Sequence, residues 1–249
     1  MELSTFVTFI VAGFAAQLID GSLGMGYGVS CNIFLMSFGV PPLLASASIH
    51  AAEVFTTGAS GLSHWRLGNV DRRLFRKLVV PGVAGAVVGA YLLTRFDGDV
   101  IRPFVAVYLL IMGLVIIVKA VRRSETREVK THLVPLGVVG GFFDAIGGGG
   151  WGPIVTSTLV ARGNHPHRSV GSVNLAEFFV ALSVSLTLLG SVAIETQGLI
   201  IAGLVLGGLL ASPLAAYLSN RLPARRLMAL TGVLILALSA NTILTFLTS

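Results

Sequence analysis

Apolar runs of about 20 residues, separated by short charged breaks, restrict this chain to a membrane. The uninterrupted runs cover roughly 43–62, 74–94, 101–119, 169–189, 198–219 and 226–247. A helix needs about 20 apolar residues to cross the bilayer. Charged residues make up 11% of the chain, whereas soluble domains carry about 25%, so a water-facing surface and nucleic-acid binding are excluded. The sequence therefore predicts an all-α polytopic membrane protein.

Two further apolar stretches, 3–37 and 132–161, are each interrupted by a glycine-rich segment. The interruptions are Asp20–Gly28 and Asp144–Gly152, and the pieces beside them are only about 13–16 residues long. Such pieces are short for a crossing, so we expect half-helices or a re-entrant hairpin. A break frees backbone N–H and C=O groups, which are tolerated only inside protein or beside a polar cavity. We expect the two breaks to meet around a buried, hydrated pocket.

The second half of the sequence repeats the first at an offset of 124 residues. LIDGSLGMGYG at 18–28 matches FFDAIGGGGWG at 142–152, and HAAEVF at 50–55 matches NLAEFF at 174–179. Agreement in both glycine and acid positions indicates a duplication. The predicted halves are residues 1–120 and 132–249, joined by a basic linker at 121–131.

Loop charges indicate that the two halves are inverted relative to each other. Loop 64–77 holds five Lys/Arg and its counterpart at 190–198 holds none. Loop 38–42 holds none, whereas 162–168 holds two. Because Lys and Arg favour the cytoplasmic side, equivalent loops of the two halves are expected on opposite sides of the membrane. An odd number of crossings per half gives this inversion, so we expect each half to consist of a broken hairpin followed by three transmembrane helices. This topology places the linker in the cytoplasm and both termini outside.

Four of the 28 charged residues (17 basic, 11 acidic) lie inside apolar stretches, and all four are acids: Asp20, Glu53, Asp144 and Glu177. Ionisable groups in a membrane interior are costly and by default mark a functional site. Asp20 coincides with Asp144, and Glu53 with Glu177, under the repeat offset. We interpret the four acids as proton-coupling groups.

Candidate substrate contacts come from the breaks and from the polar helix face that follows each of them. Helix N-termini after the glycines direct N–H donors inward, which suits an anion. For His50 or Asn174 taken alone, an interhelical hydrogen bond is the alternative interpretation. Close helix packing is the alternative for the glycines. The candidate set is Ser22, Gly24, Gly26, Tyr27, Gly28, His50, Gly148, Gly150, Trp151, Gly152, Ser172 and Asn174.

Sequence spacing suggests no metal site, no cofactor and no enzyme. The His and Cys residues lack metal-ligand spacing, and no nucleophile lies beside a base in any recognisable arrangement. A G-x-G-x-G spacing occurs, but the strand context and lysine of a nucleotide loop are absent. The expected partners are a small anion, protons and the lipid bilayer, and a homo-oligomer stays open.

The sequence around the second break, GGFFDAIGGGGWGPIVTSTL at 140–159, resembles the TauE/SafE family of membrane permeases, also grouped with toluene-sulfonate uptake permeases. The resemblance covers essentially the whole chain, although Met25 and Tyr27 make the first break depart slightly from the second. It implies secondary transport of sulfite, sulfoacetate or other organosulfonates across a prokaryotic inner membrane.

The resulting hypothesis is a proton-driven secondary transporter of a small sulfur-containing anion, working by alternating access. A passive anion channel on the same scaffold is one alternative. A second alternative is a cation transporter, in which the ionised acids coordinate Na⁺ or a divalent ion. An intramembrane enzyme is a third alternative.

Overall fold

The computed structural model describes residues 3–121, 132–162, 164–189 and 194–218. Beyond 218 it describes only 225, 229, 232–233, 235–237, 239–241 and 243–244. The predicted linker and most of the predicted span 226–247 therefore lie outside the described residues. All regular structure in the described part is helical. The elements are α1 (Leu3–Leu23), α2 (Tyr27–Ser37), α3 (Pro42–Arg66), α4 (Arg72–Leu93), α5 (Gly98–Val121), α6 (Leu133–Gly147), a π-helical turn (Gly152–Thr156), α7 (Ser157–Ala161), α8 (Pro166–Leu188) and α9 (Ile194–Leu218).

Within the described residues, five helices are long and apolar enough to cross a membrane. They contain the segments Thr5–Leu23, Arg72–Leu93, Pro103–Val121, His167–Leu188 and Gln197–Leu218. This confirms the prediction of an all-α polytopic membrane protein. Helix α3 has 25 residues but is less apolar, because a polar stripe that includes Ser46, His50, Glu53 and Thr57 runs along it.

The first break is shorter than the sequence predicts. Helix α1 continues through Asp20 to Leu23 and has 21 residues, so the expectation of a short half-helix is wrong there. The helical hydrogen bonds continue to the end of α1, where the backbone N–H of Gly24 donates to the Asp20 carbonyl at 2.5 Å. In this break Gly24 (φ 68°) and Gly26 (φ 118°) adopt left-handed conformations, which glycine permits. In the second half, α6 has the expected short length of 15 residues.

Helices α1 and α9 run parallel in close contact. A Cβ added at Gly13 would lie 2.5 Å from the Leu204 carbonyl oxygen, and one at Gly21 would lie 2.7 Å from the Ala215 Cβ. The contacts advance in the same direction along both helices. Small residues let helix backbones approach closely where lipid provides no hydrophobic driving force.

Helices α4 and α6 form a second parallel pair of the same kind. A Cβ added at Gly137 would lie 3.2 Å from the Leu78 carbonyl oxygen, and one at Gly141 would contact the Gly82 carbonyl. Under the repeat offset α6 corresponds to α1, and the start of α9 corresponds to the start of α4. The α4–α6 pair is therefore the counterpart of the α1–α9 pair.

Helices α3 and α8 pack against each other in opposite directions at the centre of the molecule. Ser60, near the end of α3, donates to Asn174, near the start of α8, at 2.7 Å. At the other end, Ala51 and Ser185 line the same small cavity. These two helices correspond under the repeat offset, so their antiparallel packing has the direction that an inverted repeat requires. The boundaries of the two halves stay a prediction.

Candidate functional site

The two glycine breaks lie directly against each other. A Cβ added at Gly28 would lie 2.6 Å from the Gly149 Cα, and one added at Gly152 would contact the Met25 Cα. Gly28 corresponds to Gly152 and Met25 to Gly149 under the repeat offset, so the two contacts are equivalent positions of the repeat. The expected meeting of the breaks is therefore present, whereas the hydrated pocket between them stays a prediction.

A second pair of contacts across the breaks follows the same relation. The Asn32 side-chain amide packs on Gly148 and donates to the Gly147 carbonyl. Thr156 packs on Gly24, whose added Cβ would lie 3.0 Å from the Thr156 hydroxyl. Our sequence analysis missed Asn32 and Thr156. The signal was present, because both are polar in apolar stretches and they coincide at the offset of 124.

The aspartate at the start of each break accepts hydrogen bonds from backbone N–H groups at its end. Oδ1 of Asp144 accepts hydrogen bonds from the backbone N–H of Gly150 at 2.8 Å and of Trp151 at 3.0 Å. Oδ1 of Asp20 accepts from the backbone N–H of Tyr27 at 3.5 Å. These N–H groups lie where the helix after each break begins, a position that stabilises negative charge. The protein thus supplies a carboxyl group of its own at both helix N-termini.

His50 joins the two halves at the crossing of the breaks. Its Nε2 lies 3.2 Å from Oδ2 of Asp144 and 3.9 Å from Oε2 of Glu53. The three side chains are buried, and their ligand atoms lie within 4.8 Å of one another, close enough to hold a cation. Sequence spacing could not reveal this cluster, because Asp144 is 94 residues from His50.

Comparison with known proteins assigns the family. The sequence model described as "Sulfite exporter TauE/SafE" matches residues 9–242. The chain belongs to this family. "Probable membrane transporter protein YtnM" of Bacillus subtilis (strain 168) is 40% identical over 247 residues, covering 96% of this chain and 82% of YtnM. "Probable membrane transporter protein YdhB" of the same organism is 26% identical over 223 residues, covering 85% of this chain and 88% of YdhB.

No solved structure matches the chain. Membership of the TauE/SafE family, together with the apolar helices, makes the chain an integral membrane protein of a transporter family.

Three of the polar side chains that we expected to contact substrate are engaged within the TauE/SafE chain itself. The Ser22 hydroxyl donates to the Leu18 carbonyl at 2.6 Å. The Ser172 hydroxyl accepts from the backbone N–H of Asp71 at 2.8 Å, which ties it to the α3–α4 loop. Asn174 accepts from Ser60. In this conformation Ser22, Ser172 and Asn174 hold helices and loops together.

The two aromatic residues of the breaks anchor them to neighbouring helices. Tyr27 and Trp151, which coincide at the offset, are both fully buried. The Tyr27 hydroxyl donates to the Leu204 carbonyl at 3.5 Å, and the Trp151 indole N–H donates to the Val173 carbonyl at 3.2 Å. Both rings therefore hold the position of the breaks.

Several buried polar atoms around the breaks have no hydrogen-bond partner in the described part of the chain. A buried polar atom is costly unless it binds something, so such atoms indicate where water, protons or substrate interact. The atoms nearest the breaks are Oδ2 of Asp20, Oδ1 of Asn32, both carboxylate oxygens of Glu53, Oγ1 of Thr156 and Oε2 of Glu177.

Tyr108 of α5 contacts the second break and the end of α6. Its hydroxyl donates to the Gly149 carbonyl at 3.1 Å, and its ring stacks on Phe143 with the ring centres 5.5 Å apart. Together they border an apolar cavity of about 380 Å³. A single tyrosine in an apolar run gives no periodic or repeat signal, so the sequence analysis had no means of finding it.

Proposed function

We propose that this TauE/SafE chain is a secondary-active transporter of a small sulfur-containing anion, sulfite or an organosulfonate, coupled to protons. The observation that supports this proposal is the pair of crossed breaks, each with a carboxylate bound at a helix N-terminus. A site that holds a carboxylate on backbone N–H groups has the donors that a sulfonate or sulfite needs.

The proposed cycle couples the two ions at one place. Protonation of a break aspartate removes its charge and weakens its hold on the N–H groups. The substrate anion then takes the place of the carboxylate, and its negative charge is balanced by the added proton. Four acids surround the crossing of the breaks: Asp20, Glu53, Asp144 and Glu177. Their negative charges repel a substrate anion that binds without a proton.

The opposite orientation of the two halves supplies the alternating movement. Helices α3 and α8 lie antiparallel between the two parallel pairs, α1–α9 and α4–α6. Rocking of one half against the other around the crossing would expose the same site first to one side of the membrane and then to the other.

Uptake into proteoliposomes tests the proposal. We expect labelled methanesulfonate, a permanently ionised probe, and labelled sulfite to accumulate when the outside is acidic and the membrane potential is clamped at zero. One proton per monovalent anion sustains about a tenfold accumulation per pH unit, because each unit is worth about 1.36 kcal/mol. Protein-free vesicles and a protonophore are the controls.

The alternatives give different results in the same vesicles. A passive channel equilibrates the anion without accumulation, and a cation transporter moves labelled Na⁺ or a divalent cation without any anion. Transport of neither probe would refute the substrate class. If Glu53→Gln and Glu177→Gln both leave the pH-driven flux untouched, proton coupling through these acids is wrong.

A further inference from the structure

The side chain of His50 is held in one defined tautomer. Its Nδ1 lies 2.7 Å from the Ser46 backbone carbonyl, which can only accept a hydrogen bond. Nδ1 also lies 3.2 Å from the Ser46 hydroxyl, which itself donates to the Ala145 carbonyl at 2.8 Å. Both neighbours therefore require a proton on Nδ1, and in the neutral ring Nε2 presents its lone pair.

That lone pair faces two carboxylates. Nε2 lies 3.2 Å from Oδ2 of Asp144 and 3.9 Å from Oε2 of Glu53. The other oxygen of Asp144 is already bound by two backbone N–H groups. A lone pair directed at a carboxylate is repelled unless a proton lies between them. The cluster therefore holds at least one proton that the imidazole and the two acids share.

The repeat relates these three residues to three others that include no imidazole. At the offset of 124, His50 corresponds to Asn174, Glu53 to Glu177, and Asp144 to Asp20. The Asn174 amide donates to the Val170 carbonyl, the same i to i−4 contact that His50 makes with Ser46. This contact with the preceding turn is present in both halves, but a carboxamide does not titrate near neutral pH. The proton-binding nitrogen is present in only one half.

We propose that His50 is the site that carries the transported proton, passing it to and from Asp144, and that it does so only in the first half. This assignment rests on the proposed function and deepens it. Sequence analysis had placed His50 among the substrate contacts. Asn174, at the equivalent place, holds the position of α8 without carrying a proton.

The groups around the cluster reinforce proton binding. The titratable groups of neighbouring helices that interact electrostatically with it are two acids, two tyrosines and one cysteine, and none of them can carry a positive charge. Negative charge near an imidazole favours its protonated form. The titratable groups are Asp20 of α1, Tyr27 and Cys31 of α2, Tyr108 of α5 and Glu177 of α8.

The test is the variant His50→Asn, which installs the side chain of the other half. With methanesulfonate as the probe, we expect exchange of internal for external substrate at equal pH to persist. Accumulation driven by a pH gradient of one unit should fall from about tenfold to a ratio near one. Substrate-driven proton entry, read with a pH dye inside the vesicles, should disappear. His132→Asn, at an exposed histidine before α6, is the matched control and should retain both activities.

Several results would overturn this assignment. Accumulation and proton entry at wild-type levels in His50→Asn would do so, and so would loss of exchange in a folded variant, which would make His50 a structural or substrate-binding residue. Loss of wild-type transport on removal of divalent cations would indicate a metal ion instead of a proton. If His50→Asn does not fold, His50→Gln replaces it, because glutamine also removes the titratable ring. Loss of accumulation and of proton entry in that variant supports the proposal, and wild-type levels of both contradict it.

Absence of pH-driven accumulation in the wild type would instead refute the proposed function, independently of His50.

Discussion

Replacement of Gly149 by alanine is expected to abolish transport and to leave little folded protein. Gly149 has φ 151°, a conformation that costs other residues about 1–3 kcal/mol. An added Cβ would also contact the Val29 nitrogen and lie 2.8 Å from the Gly28 Cα. Both are backbone atoms of the opposite break and cannot rotate away, so overpacking adds about 1–3 kcal/mol. The sum is a large part of a total stability of about 5–15 kcal/mol.

The measurement is the yield and thermal midpoint of the protein in detergent, followed by methanesulfonate exchange. Gly39→Ala is the matched control, because Gly39 also has a positive φ, 83°, but nothing lies within 4 Å of its added Cβ. That variant carries the backbone strain without the collision and should remain folded and active. Equal stability and activity of the two variants would show that the breaks do not touch.

Replacement of Asp144 by alanine is expected to reduce the rate of pH-driven accumulation by at least about 100-fold. The change removes the acceptor for the backbone N–H groups of Gly150 and Trp151 and the partner of His50. Hydrogen bonds to a charged group contribute about 1.5–3 kcal/mol each, and every 1.4 kcal/mol is a factor of ten. The rate of accumulation of methanesulfonate, normalised to folded protein, is the measurement.

Asp71→Ala is the matched control for Asp144→Ala. Asp71 is also a helix-capping aspartate, since its Oδ1 accepts from the backbone N–H of Arg73 at 2.8 Å and of Leu74 at 3.1 Å. Its loss should cost about 1 kcal/mol of stability without loss of coupling. Asp144→Asn keeps an acceptor oxygen but removes the charge, so it should fold and still fail to accumulate substrate. Normal accumulation by Asp144→Asn would contradict a role for this charge.

Patterns that depend on local chemistry and on the repeat were readable from the sequence. The membrane class followed from apolar run length, and the correspondence of Asp20 with Asp144 followed from the offset. The end of α1 could not be predicted from the sequence, because Gly21 and the residues around it can remain helical wherever their backbone N–H and C=O groups find helical hydrogen-bond partners. Glycine permits a break without requiring one.

Contacts between the two halves could be identified only from the structure. The offset associates His50 with Asn174, yet in the structure His50 contacts Asp144 of the other half. Similarly, Ser172 is polar and close in sequence to the Glu177 stripe, but its hydroxyl bonds the α3–α4 loop. Sequence shows which residue types are available, whereas packing decides which of their donors are already engaged.

The proposed transport requires two oppositely oriented halves that cross at their breaks, and cross-linking between α3 and α8 tests this arrangement. The measurement uses a Cys31→Ala background, a protease site inserted within 122–131 and a short bifunctional thiol reagent. Cleavage then separates the halves on a denaturing gel unless they are linked. We predict linkage for Ser60→Cys with Asn174→Cys, whose native side chains lie 2.7 Å apart, and none for Ser60→Cys with Val184→Cys. Linkage of the Val184 pair alone would show equivalent helices running in the same direction, and would contradict the account.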